Sequence, residues 1–149
     1  MDPPILRFVQ WVIGLDGDDT LWENEAYFRE VQAECTRLLT RWAHGDGVHE
    51  RLVTIERRNL ELFGYGVKGF ALSMIETAIE LSDGEIPAAD IHRIVDLARD
   101  MLARSHELID GVADAVADLA EHHRLVLITK GDLLHQQTKV ASSGLADLF

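Results

Sequence analysis

Apolar residues follow two different rhythms along this chain, and the change of rhythm divides it. The run over residues 8–15 is extended in character and stops abruptly on Asp16. A second run, Leu125-Val126-Leu127-Ile128, follows the charged turn Glu121-His122-His123-Arg124 and stops on Thr129. Continuous apolar runs of this length predict buried parallel strands. Between them the spacing is helical. Tyr27, Val31, Cys35, Leu38, Leu39 and Trp42 recur at three- and four-residue steps and end at His44-Gly45-Asp46-Gly47. Leu52, Ile55, Asn59, Leu62 and Phe63 form a second stripe that stops at Gly64. Phe70, Met74, Ala78 and Leu81 form a third, broken by Ser82-Asp83-Gly84. Ile91, Ile94, Val95, Ala98, Met101 and Leu102 form a fourth, with Pro87 suited to its first turn. Four such helices joined by short turns predict a small bundle. Asp110-Gly111 then opens a helix over residues 112–120, which returns the chain to the sheet as a crossover.

The chemistry gathers where the two strands end. Asp16-Gly17-Asp18-Asp19-Thr20 follows the first strand. Side chains two apart in an extended segment point the same way, so Asp16 and Asp18 are expected to converge on one small volume. Two carboxylates that close repel unless a cation lies between them or one holds a proton, and a hard divalent ion such as Mg²⁺ is the natural occupant. The alternative is a solvated acidic turn held by its own hydrogen bonds. After the second strand come Thr129, Lys130, Gly131 and Asp132, then a helix. A phosphoryl oxygen wants a hydroxyl and free backbone N–H groups, which a strand end followed by a helix N-terminus supplies. Gly131 permits close backbone approach, and Asp132 is a natural N-cap.

Asp16-x-Asp18-x-Thr20 after an apolar strand, together with an apolar strand ending in Thr129, resembles the first two motifs of the haloacid dehalogenase superfamily. That resemblance implies an α/β fold, a partial Rossmann-like core of parallel strands with flanking helices, carrying an inserted helical-bundle cap. The core would comprise residues 1–22 and 109–149 and the cap residues 23–108. It implies a Mg²⁺-dependent phosphatase acting on a small phosphate monoester through an aspartyl-phosphate. Asp16 would be the nucleophile, Asp18 the general acid and base, and the Asp16 carboxylate with the Asp18 backbone carbonyl the metal ligands. Gly17, Thr129 and Lys130 would hold the phosphoryl group, and Thr20 would support the loop. Asp19 stands where the commoner family version has Gly. The dehalogenases of the superfamily lack an acid at the Asp18 position, so Asp18 points to phosphoryl chemistry; a phosphomutase would use the same parts. A whole enzyme of this kind continues into a lysine motif and an acidic strand, and neither Lys130 nor Lys139 is placed to serve as that lysine. The chain is thus expected to be part of a longer enzyme, or completed by a partner. Its open sheet edges invite pairing or self-association. The alternative from another class is an inactive binding module.

Composition narrows the class. With 149 residues and 47% hydrophobic content, the chain holds one ordinary core or a small core plus a cap. A formal charge of −12 and no basic patch argue against nucleic acid and anionic membranes as partners; a small phosphorylated metabolite is the partner the resemblance implies. A single cysteine, Cys35, fits a reducing cytoplasm. No apolar stretch approaches the roughly 20 residues of a membrane span. Gly64-Tyr65-Gly66-Val67-Lys68-Gly69 matches G-x-G-x-x-G but follows a helix, so it reads as an interhelical turn. By position that turn faces the site, where Lys68 either offers charge to an anionic substrate or is an ordinary exposed lysine. His122-His123 reads as a wet turn, with no third ligand spaced nearby to make a metal site.

Overall fold

Leu15 and Leu127 stand side by side at the carboxyl ends of two short parallel strands, and everything functional is arranged around that lip. The computed structural model describes residues 10–43 and 46–149. In chain order these form β1 (Val12–Leu15), α1 (Glu25–Leu39), α2 (Gly47–Phe63), α3 (Val67–Leu81), α4 (Ala88–Ala103), α5 (Val112–His122), β2 (Arg124–Leu127), α6 (Leu133–Ser143) and a closing 3-10 turn (Ala146–Leu148). This is a partial α/β core with an inserted helical bundle, as the sequence predicts. No helix among the described residues is long and apolar enough to cross a membrane.

The strands pair in register from Val12↔Arg124 to Leu15↔Leu127, and Ile128 N–H extends the ladder to the Leu15 carbonyl at 2.8 Å. They differ from expectation in burial. Ile13, Leu15, Leu125 and Leu127 join a cluster with Leu21, Trp22, Val116 and Leu145. On the opposite face Val12 and Ile128 are each 66% exposed. A fully buried strand needs cover on both faces, and α5 with the closing turn covers one. The β1 expectation over residues 8–15 shortens to Val12–Leu15; residues 8 and 9 lie outside the described residues.

A second apolar cluster joins α1 to α4: Val31, Cys35 and Leu39 meet Val48, Leu52, Phe70, Met74, Ala78, Ile94, Ala98 and Met101. The predicted stripes hold with two changes. Trp42 lies beyond the end of α1, half-buried against the cluster. Leu62 and Phe63 are in phase with Leu52, Ile55 and Asn59, yet both are exposed. Periodicity fixes the face a residue occupies; it does not guarantee that a neighbour reaches the last turn. His44 and Gly45 lie outside the described residues, and α2 starts at Gly47.

Two antiparallel passes tie bundle to sheet. Glu23 N–H donates to the Glu107 carbonyl at 3.1 Å and Ile109 N–H to the Leu21 carbonyl at 3.0 Å, with Trp22 bridged to Leu108 between them. This short ribbon sets the bundle over the strand lip.

Cys35 is completely buried in the bundle, and that burial pushes its thiol pKa up to about 12. Thiolate is the reactive form. A disulfide reagent such as dithionitrobenzoate at pH 8 should therefore leave the native thiol intact and titrate one equivalent once denaturant is added. Rapid stoichiometric reaction of the folded protein would contradict the packing.

Candidate active site

The loop after β1 folds around the Gly17 carbonyl, which accepts from Thr20 N–H (3.2 Å) and Leu21 N–H (2.8 Å). Gly17 is required sterically: a Cβ there would stand 2.8 Å from Trp22 Cζ2 and 3.3 Å from the Thr129 hydroxyl oxygen. That second figure places the two strand ends in contact. Asp16 is exposed at the lip, and its Oδ1 accepts from Gly17 N–H at 2.8 Å. The Gly17 amide is thereby engaged by Asp16.

The side chain that shapes the loop is Asp19. Its φ of +57° is left-handed, a conformation that favours glycine and that Asp tolerates better than most residues. Its carboxylate accepts from the N–H groups of Asn24 and Glu25 at 3.0 Å, tying the loop to the start of α1. Thr20, expected to hold the loop through its hydroxyl, contributes its backbone N–H; no side-chain hydrogen bond of Thr20 occurs among the described residues.

Asp18 points to α6. Its Oδ1 accepts from Trp22 Nε1 (2.7 Å) and from Lys139 Nζ (2.7 Å), and its Oδ2 from Gln136 Nε2 (2.9 Å). Gln136 Nε2 also approaches the Thr129 hydroxyl at 3.2 Å and the Lys130 carbonyl, bridging both strand ends. Lys139, 3% exposed, donates in addition to Asn24 Oδ1 at 2.8 Å. Helix α6 is inverted relative to an ordinary surface helix: His135, Gln136 and Lys139 face inward, while Leu133 and Leu134 are 72% and 68% exposed. Asp132 caps it as predicted, its Oδ1 accepting from His135 N–H at 3.1 Å.

Between lip and bundle lies a cavity of about 280 Å³. Asp18, Lys130, His135, Gln136 and Lys139 line its core side, and Glu25, Glu56 and Asn59 its bundle side. Asp16, Gly17 and Thr129 stand at the lip beside it, outside the lining. The Gly64-Tyr65-Gly66 turn faces the cavity, and Gly66 lies so close that a Cβ would sit 3.2 Å from the Asp132 amide. Lys68 is exposed and pairs with Asp132 at 2.8 Å, linking α3 to α6 rather than lining the cavity. Lys130 lies 5.3 Å from the Tyr65 ring.

A haloacid dehalogenase-like family hydrolase from Xanthomonas campestris is 50% identical and superposes with a TM-score of 0.87 over 94% of this chain and 59% of its own length. The chain belongs to the haloacid dehalogenase-like hydrolases. Two hydrolases of lower identity share the fold. The HAD-hydrolase YfnB from Bacillus subtilis, in a structure bound to magnesium, gives TM-score 0.57 at 21% identity, over 94% of this chain and 62% of its own. A haloacid dehalogenase-like hydrolase from Burkholderia xenovorans gives 0.61 at 18% identity, over 93% and 57%. The chain thus spans about three fifths of each relative's length. No family profile and no curated protein sequence matches it.

For a haloacid dehalogenase-like site the fit to a divalent ion is uneven. Asp16 offers an exposed hard oxygen, since no hydrogen bond to its Oδ2 occurs among the described residues. The Asp18 carboxylate does not fit, because both its oxygens face N–H donors, one of them an ammonium. Lys139 neutralises the Asp18 carboxylate, which leaves the main-chain carbonyl of Asp18, the atom the resemblance implies, as its ligand beside Asp16. Elsewhere, Asp118, Glu121 and His122 place ligand atoms within 4.8 Å of one another on α5. His122 thus has the neighbouring ligands that sequence spacing did not reveal, on a solvated helix face.

Burial pushes the Asp18 pKa up, but hydrogen bonds from Lys139, Trp22 and Gln136, with the Lys139 charge, outweigh it and hold the carboxyl below its ordinary range. Burial also lowers His135, reinforced by Lys139. His106, its ring 5.6 Å from His135 and 5.8 Å from Tyr27, is lowered to about 4, by burial first and then by Lys139 and His135. Its folded ring stays neutral while the unfolded ring takes a proton below about pH 6.5. The stability from this group is complete above pH 6.5 and is lost as pH falls toward 4. Urea unfolding at pH 7 and pH 5 should show a fall in stability that His106→Asn lessens by about 1 kcal/mol, a figure discounted for the partial exposure of the ring. An identical fall in the variant would show that His106 is not the group responsible.

Proposed function

We propose that this chain carries the nucleophile and phosphoryl cradle of a Mg²⁺-dependent phosphatase acting on a small phosphate monoester. The observation that supports it best is the exposed Asp16 carboxylate at the end of one strand, with Thr129 ending the adjacent strand against Gly17 and a second acid, Asp18, held ionised two residues away. A leaving halide needs no proton. An alkoxide leaving group and an attacking water both need a proton carrier, so a second acid favours ester hydrolysis over dehalogenation.

In this reading Asp16 attacks phosphorus in line, the ester P–O bond breaks, and the leaving oxygen takes a proton from Asp18 in its protonated form. A water then attacks the aspartyl-phosphate, gives its proton to Asp18, and the P–O bond to Asp16 breaks to release orthophosphate. Asp18 is poised as the base in this arrangement. Acting as the acid requires it to exchange its Lys139 contact for a proton. The Thr129 hydroxyl and the exposed Lys130 ammonium orient the phosphoryl oxygens. Mg²⁺ held by the Asp16 carboxylate and the Asp18 carbonyl would supply neutralisation of phosphoryl charge.

The test is Mg²⁺-dependent phosphate release from p-nitrophenyl phosphate. Asp16→Asn should reduce it by about 10³-fold or more, and Asp18→Asn by about 10²-fold. Undiminished turnover in Asp16→Asn would remove the nucleophile assignment.

A further inference from the structure

The cavity is asymmetric in charge. On its core wall, Asp18 is paired with Lys139 and Asp132 with Lys68, which leaves the Lys130 ammonium without a carboxylate partner among the described residues. On its bundle wall, Glu25 of α1 and Glu56 of α2 have no ion-pair or side-chain hydrogen-bond partner among the described residues. The two carboxylates sense each other: burial raises the Glu56 pKa, the nearby His49 charge lowers it, and the Glu25 charge raises it. Asn59, nearly buried on the same wall, gives its amide hydrogens to Ser73 at 3.2 Å and Glu76 at 2.7 Å, so its oxygen is what it has left to offer. Gln136 lines the cavity with a buried Oε1 that accepts no hydrogen bond, and the residue is more than nine-tenths buried. Phe28 and Phe70, a tilted pair with centroids 5.1 Å apart, complete the bundle wall.

On the bundle wall, unpaired carboxylates, the remaining Asn59 oxygen and aromatic faces share one complement, a cation that carries several hydrogen-bond donors. A neutral or anionic leaving group would bring Glu25 and Glu56 no positive charge beyond that of His49. We infer that the substrate is a phosphate monoester whose alcohol carries a protonated amine, with the phosphate toward Lys130 and Thr129 and the ammonium between Glu25 and Glu56. The inference rests on the phosphatase reading of the same site. A cavity of about 280 Å³, at the small end of ligand pockets, suits an amino alcohol or amino acid ester rather than a nucleotide.

Binding separates the two ideas without turnover. The full chain carrying Asp16→Asn, so that esters stay intact, is titrated calorimetrically with O-phosphoethanolamine, propyl phosphate and orthophosphate. O-phosphoethanolamine should bind about tenfold tighter than its neutral isostere, the order expected for one charge-assisted hydrogen bond. That gap should close in Glu56→Gln and narrow in Glu25→Gln, with circular dichroism confirming that both variants fold. Equal affinity for the two esters, or a gap that survives both substitutions, overturns the amine inference and leaves the phosphatase reading standing. Failure of all three ligands to bind overturns both.

Discussion

A partly buried ion pair, with Lys139 3% and Asp18 24% exposed, is the constraint on which the site depends. Placing an ammonium and a carboxylate where water is largely excluded costs several kcal/mol per ion, and only good geometry with further hydrogen bonds offsets it. Both conditions hold. Asp18 receives Trp22 and Gln136 besides Lys139, and Lys139 reaches Asn24 as well. Three distant pieces of chain are thereby fixed to one another: the loop after β1, the entry to α1, and the second turn of α6. Remove either charge and the other keeps only neutral hydrogen-bond partners, so the loop that carries Asp16 loses its ionic anchor.

The contacts that join the bundle to the core differ in kind. Beside the ribbon of residues 21–23 with 107–109 and the ring contacts of His106 with Tyr27 and His135, several are polar and exposed: Lys68 with Asp132, Lys130 over Tyr65, and the close backbone approach of Gly66 to Asp132. Exposed pairs of this sort contribute about 0–1 kcal/mol each. The bundle and the strand lip thus each keep their own apolar cluster, while the surface between them is held lightly and encloses a polar cavity. That division suits a substrate that has to enter and leave between them.

Much of the architecture was legible because it follows from periodicity. Phe70, Met74 and Ala78 face inward as their spacing requires, and Asp16 and Thr129 end adjacent strands because apolar runs stop on them. What was not legible has specific causes. Asp19 looked like a departure from a glycine; its left-handed φ shows that the backbone demands a tolerant residue there, and its carboxylate then binds the Asn24 and Glu25 amides. Lys139 was set aside because no later acidic strand follows it, yet its partner lies 121 residues earlier. A signal was present: Gln136 and Lys139 share one face of α6 while Leu133 and Leu134 point outward, the reverse of a helix that packs by hydrophobicity alone. The strands looked fully buried because apolar composition does not report how many faces are covered, and Ile128 shows that one is open.

The central claim is that Asp18 and Lys139 act as a unit. A double-mutant cycle in urea with Asp18→Asn, Lys139→Met and the pair of substitutions measures it directly. Each single change should cost about 3 kcal/mol and the double change little more than either, a coupling of about 2 kcal/mol or above. Single costs that simply add would contradict the account.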